Sequence, residues 1–232
     1  MRKLKLLLLI LLSSFSVFAQ TDSLLFSSLS EGHSPVDAGE PIFVGREHLN
    51  YLPSIIGVPY YATPDWQEGT LLYQGILYKD LFLKYDLVAD ELVVRHLNGI
   101  QGIVLFTPRI ERFTLGDKMF VHLTAPAGET IKPGVYELLT SGKLSLYAKR
   151  SMWIEEKVQT TIIERSFQFR NTYSVLKEGQ YYQVKNDKTL RNLLSLKKTE
   201  IKSLLKAAQI KFKTNPDAAL QIIVAHYNQT NR

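Results

Sequence analysis

Five histidines, His33, His48, His96, His122 and His226, are the only imidazoles this chain offers for metal binding or proton transfer. Their spacing places no two on one face of a helix or strand, so no metal site is expected. The chain has no cysteine, which leaves nucleophilic catalysis to serine or threonine. No Gly-x-Ser-x-Gly elbow occurs, and Ser195-Leu196-Lys197-Lys198 matches Ser-x-x-Lys in letters only, inside an amphipathic stretch without companion motifs. The densest carboxylates, Asp80, Asp86, Asp90 and Glu91, could supply an acid–base pair for glycoside cleavage, but they sit beside hairpin turns, where aspartate serves the backbone. Gly99-Ile100-Gln101-Gly102 lacks the following Lys-Ser/Thr and helix of a phosphate cradle. No catalytic residue and no cofactor are therefore expected.

The aromatic group is the best binding candidate. Tyr60, Tyr61, Trp66, Tyr73 and Tyr78, with Tyr51 beside them, combine an apolar body with a polar tip, which suits sugar-like or peptide ligands. The same property suits the rim of a β core, and both readings stand at this stage.

The elements that would position these residues are mostly strands. Leu71–Tyr73 and Ile76–Tyr78 flank a turn or bulge at Gln74-Gly75, and Leu81–Tyr85 meets Glu91–Arg95 across Asp86 and Asp90. Ile103–Phe106 follows, then Arg112–Leu115 and Met119–Leu123 around Gly116-Asp117, then Val135–Leu139 and Lys143–Ala148 around Thr140-Ser141-Gly142. Phe167–Leu176 and Tyr181–Val184 read as a hairpin, with Thr160–Ile163 a strand end or a connector. Eight to ten short antiparallel strands are expected, as a meander, half-barrel or small sandwich. Strands mostly of four to seven residues, in a chain that ends in helices, fall short of the roughly 9–11 of an outer-membrane barrel. Pro53, Pro59 and Pro64 mark Tyr51–Trp66 as an extended covering strap.

After the cap candidates Asn186 and Asp187 the period changes to helical, with a break expected at Thr199-Glu200. Asn215-Pro216-Asp217 opens a further helix. The fold class is α+β, mainly antiparallel β, with a helical C-terminal segment. The expected organisation is residues 1–19 as signal peptide, 20–48 as a flexible segment, 49–185 as the β domain and 186–232 as a basic helical segment.

The leader reading rests on Arg2, Lys3 and Lys5 before an apolar run, and on Val17-Phe18-Ala19, which fits cleavage between Ala19 and Gln20. The run is interrupted by Ser13, Ser14 and Ser16, short of the roughly 20 apolar residues of a membrane span. Without cysteine the chain carries no lipoprotein anchor and no disulfide framework. An exported protein, periplasmic or extracellular, is expected, with no transmembrane span in the mature chain.

The net charge of +6 hides an asymmetry. Residues 20–142 hold 8 basic and 15 acidic side chains, and residues 143–232 hold 17 and 7. The basic half suits an acidic envelope protein or an anionic surface, or simply a solvated helix face. Nucleic acid is not expected, because no motif interleaves the basic residues with stacking aromatics.

Gly69-Thr-Leu-Leu-Tyr-Gln-Gly-Ile-Leu-Tyr78, Leu83-Lys-Tyr-Asp-Leu87, Tyr136-Glu-Leu-Leu139, Gly142-Lys143-Leu144, Gly179-Gln-Tyr-Tyr-Gln-Val-Lys185 and the lysine-rich helices ending in Tyr227-Asn228 resemble a group of uncharacterised exported proteins of Bacteroidota, as does the leader ending in Phe18-Ala19-Gln20. The resemblance implies export and brings no catalytic residue. The expected function is non-enzymatic binding or scaffolding in the cell envelope. A hydrolase of envelope carbohydrate or peptide, and a small-molecule carrier, are the alternatives.

Overall fold

The computed structural model describes residues 32–35, 37–124, 130–159 and 162–231. The expected signal peptide, with its expected cleavage between Ala19 and Gln20, lies outside the described residues. From His33 onward the chain forms one unit.

Eleven antiparallel strands make one open sheet, in the order β1-β5-β4-β3-β2-β6-β7-β8-β9-β10-β11. They are β1 (Arg46–Glu47), β2 (Gln67–Tyr73), β3 (Ile76–Asp86), β4 (Glu91–Arg95), β5 (Gly102–Val104), β6 (Ile110–Leu115), β7 (Lys118–Leu123), β8 (Gly134–Thr140), β9 (Leu144–Gln159), β10 (Ile162–Lys177) and β11 (Gln180–Val184). The turns follow their residues. Gln74 and Gly75 have φ of 54° and 77°, and Glu178 and Gly179 have 52° and 79°, the paired positive angles of a tight hairpin turn.

Two expected strands, Ile76–Tyr78 and Leu81–Tyr85, are one. A register shift between β2 and β3 puts an extra residue in β3 near Asp80, whose φ is 55°. Leu81, Leu83 and Tyr85 alternate inward, and the bulge resets the phase so that Tyr78, not Lys79, joins them in the core. The bulge also solves a distance problem. Val104 is level with Lys84 through Val93, and Ile110 is level with Ile76 through Tyr73. On a straight strand those levels lie roughly 26 Å apart, with four strand spacings, or roughly 19 Å, between β5 and β6 as well. Six peptide steps reach at most about 20 Å, and part of this connection is wound into the 3-10 turn Thr107–Arg109. The first half of the sheet must therefore bend and curl, and it wraps a core centred on Phe113 stacked against Phe120 at 4.9 Å, with Tyr85 edge-on to both.

Other segments close the curl. Where β9 runs past β8, its Met152 N–H donates to the carbonyl of Leu87 at 2.8 Å, and Lys149 donates to Asp90 at 2.5 Å. The Tyr51–Trp66 segment is not extended throughout, turning at Gly57 and Ala62 with φ of 106° and 63°, but it does lie over the fold: Leu87 N–H donates to Pro59, and Ile56 bridges Ser166 on the outer edge of β10. Residues 37–48, read as part of a flexible lead-in, contribute the 3-10 turn Pro41–Phe43, whose Ile42 and Phe43 are buried. That apolar pair gives the segment something to bury.

Strands β9 and β10 run 16 residues each, far longer than expected. Their distal half carries exposed Trp153, Val158, Ile162, Ile163 and Phe169, so alternation there does not divide buried from exposed. Helices α1 (Asp187–Leu194), α2 (Lys198–Ala207) and α3 (Pro216–Thr230) cover β9–β11. Asn186 and Asn215 cap α1 and α3 through their side chains, accepting from Thr189 and Ala218. The break between α1 and α2 falls at Ser195, φ 55°, not at Thr199-Glu200, because Ser195 adopts the left-handed cap and Leu196 N–H returns to Arg191. No helix among the described residues is long and apolar enough to cross a membrane.

The two cores share one sheet face, and charges occupy the seam between them. Along β9, Ala148 packs in the helix-covered core and Met152 against the curled one, with Arg150 between. Along β8, Val135 and Leu139 flank Glu137 in the same way. Arg150 and Glu137 are 5% and 3% exposed. Arg150 Nε donates to Glu137 at 2.7 Å, and its two terminal nitrogens clamp Asp217 of α3 at 3.1 and 2.8 Å. Tyr173 donates to Asp217 at 2.5 Å and Tyr61 to Glu137 at 3.2 Å. Burial alone would push the Asp217 carboxyl up, but the hydrogen bonds from Arg150 and Tyr173 outweigh it and hold the group below its ordinary value.

Removing one partner leaves a buried charge, so Arg150→Met should cost about 3 kcal/mol or more in denaturant unfolding, while Arg150→Met with Glu137→Leu should recover much of the loss. Because the folded carboxyl titrates below its unfolded value of about 4, its stabilisation is complete above that pH and fades as pH falls through the folded value. Asp217→Asn should therefore lower the unfolding midpoint at neutral pH, with the gap to the parent narrowing below about pH 4.

Candidate functional site

The five aromatic candidates do not form one site. Tyr73 and Tyr78 are 1% and 0% exposed, inside the curled core. Tyr61 packs edge-on against Phe120 at 4.9 Å and reaches the seam through Glu137. Tyr60 and Trp66 come together on the outer side of the sheet, where the Lys84 ammonium lies 4.9 and 4.6 Å from their ring centres. His48 shares a 2.8 Å hydrogen bond with the Tyr60 hydroxyl. Burial lowers the Lys84 pKa, partly opposed by Asp65. The chain's own lysine thus fills the cation position of this aromatic pair.

The carboxylates are also committed. Asp86 is 1% exposed and accepts from the backbone of Val88 and Ala89 and from Tyr51. Asp90 takes Lys149 and the Tyr85 hydroxyl, Asp80 accepts from Ser34, and Glu91 pairs with Arg46. Gly134, at φ 142°, holds a backbone angle that disfavours any side chain, and a Cβ there would also press on the Asp90 carboxylate at 2.5 Å and the Lys149 ammonium at 2.6 Å. Ser195 and Lys198 stand on opposite sides of a helix break. No group of three or more histidine, aspartate or glutamate side chains able to hold a metal ion occurs among the described residues.

Among the described residues, hollows lie near the helical layer, and two of them bear on function. The first, of about 360 Å³, lies over the seam, lined by Tyr61, Lys118, Glu137, Arg150, Asp217 and Gln221 among others. Its charges already face one another: Arg150 holds both carboxylates, and Lys118 pairs with Asp117.

The second, of about 580 Å³, runs beside α2 and differs in kind. Its floor is Ile201, Leu205, Ile210 and Phe212, and its rim is the exposed Lys198, Lys202, Lys206 and Lys211, with Asp187 also in the lining. Helical geometry sets this layout. Lys198, Lys202 and Lys206 recur every four residues and so form one stripe rising roughly 6 Å per step. At the end of α2 the chain turns through Gln209, φ 57°; its N–H returns to Lys206 at 3.1 Å and that of Ile210 to Leu205 at 2.9 Å. This cap brings Ile210 beside Leu205 and folds the following strand of chain back to supply Phe212 and Lys211. The four lysines have no ion-pair partner among the described residues.

The sequence shows the lysine stripe but reads equally as a solvated helix face. Ile210 and Phe212, interleaved with Lys211 and Lys213 after the helix, are the signal that apolar surface backs the charge. The hollow offers positive charge around an apolar floor, which is the chemistry of holding an anionic, partly apolar partner. Comparison of the chain with protein-family models, with curated proteins and with solved structures finds no match.

Proposed function

We propose that this chain is an exported, non-enzymatic binding protein of the cell envelope that holds an anionic partner through the helical layer. The observation that carries this reading is the set of four lysines, without an ion-pair partner among the described residues, around the apolar floor beside α2. Export is supported by the basic, then apolar, then Val17-Phe18-Ala19 leader. The seam gives the layer a fixed base, because Asp217 of α3 is tied to β9 by Arg150. The carboxylates best spaced for acid–base work are spent on turns and ion pairs, which favours binding over hydrolysis.

The test compares the mature chain with a Lys198→Gln, Lys202→Gln, Lys206→Gln variant for retention on immobilised envelope extract. Retention should fall as salt is raised from 0.05 M to about 0.5 M, and the variant should be lost early while unfolding at the parent's denaturant midpoint. Equal retention of both proteins would overturn the reading. Intact-mass measurement of native material should give a chain beginning at Gln20; a chain that keeps Met1 would remove export from the proposal.

A further inference from the structure

We infer that the hollow beside α2 takes a single-chain amphiphile with an anionic head, a long-chain carboxylate being the simplest case; the inference rests on the binding reading above and names its ligand. Three features of the hollow select this class.

The first is size. A volume of about 580 Å³ lies within the range of small-molecule sites. The second is what the walls cannot do. They are formed by residues of the helices and of the turn after α2, none of them in a strand, so the hollow presents no sheet edge. An extended peptide gains much of its hold from backbone pairing with a sheet edge, and this hollow has none to give. An alkyl chain needs no such pairing. The third is depth. Ile201 is buried, and Leu205, Ile210 and Phe212 are half-buried behind exposed lysines. Helices that insert into a bilayer present their apolar residues outermost; here the apolar surface is recessed, which suits a chain entering the protein.

The lysines then have two tasks. Their ammonium groups meet the head, and their methylene stems lengthen the apolar walls along the chain. Because successive rim lysines are spaced by one helical turn, a single carboxylate engages one or two of them at a time, and the stripe lets chains of different length settle at different depths. Asp187 in the lining disfavours an anionic head beside it, so the head is placed against the rim lysines.

The test titrates the purified mature chain with dodecanoate below its critical micelle concentration, with dodecyltrimethylammonium and dodecanol as head-swapped controls, and with vesicles of anionic phospholipid. Calorimetry should show one dodecanoate site per chain, weakened by about tenfold in the triple lysine-to-glutamine variant and weakened again in Phe212→Ala, with both controls binding less tightly than dodecanoate. Both variants alter exposed or half-buried positions, and their unfolding midpoints are measured alongside. Failure of dodecanoate to bind, or equal binding to parent and triple variant, would overturn the amphiphile assignment. So would lysine-dependent binding to vesicles without binding to dodecanoate. These results leave the broader reading standing if the triple variant still loses retention on envelope extract, so the two failures are read by separate measurements.

Discussion

The ion cluster of Arg150, Glu137 and Asp217 is the constraint on which the two halves of the molecule meet. Each half has its own apolar core on the same sheet face, and an apolar residue at the junction would allow the helices to slide along it. A guanidinium has a fixed planar fork, and Arg150 spends one side on β8 and the other, bidentately, on the first turn of α3. That fixes the position and rotation of α3 relative to the strands. Helix α2 is tied in turn to α3 by the 3.0 Å contact of Glu200 with His226. The hollow beside α2 is therefore the last step of a chain of contacts that starts at a buried charge. Such a cluster adds little net stability over an apolar replacement; its contribution is one geometry instead of several.

The bend in β3 plays the corresponding part in the other half. The short link from β5 to β6 requires a bend, which the extra residue at Asp80 favours in β3, and without that residue Lys79 would face the core in place of Tyr78. One inserted residue thus bears on both the curvature and the side-chain phase. The curl then needs closure, and it is supplied by the turn after β3, where Leu87 and Asp90 reach β9.

Local chemistry was readable in advance; consequences of distance were not. Gln74-Gly75, Gly116-Asp117 and Asn215-Pro216 announce their turns and cap because the demand and the residue are adjacent in the chain. The union of two expected strands across Asp80 was hidden, since an aspartate there looks like a turn. The break at Ser195 was hidden because a serine, not a glycine, takes the left-handed angle. The length of β9 and β10 was hidden because their distal half is not alternately buried, so periodicity has nothing to report. Glu137 and Arg150 did leave a trace. Each is a charge at the inward phase of an apolar strand, as in Val135-Tyr136-Glu137-Leu138-Leu139, and only a partner distant in sequence explains that. For the aromatic group, residue type alone could not separate Tyr73 and Tyr78, deep in the core, from Tyr60 and Trp66, which flank Lys84.

The bridge between Ile56 and Ser166 sets an order of events for a chain made from one end. The strap leaves its own neighbourhood and finds its edge only when β10 exists, roughly 110 residues further along. Until then Tyr51 has no Phe167 to rest on and the free rim of the long hairpin has no cover. A polypeptide emerging from its front end would thus remain open there until Phe167 of its 232 residues had appeared, and would latch late.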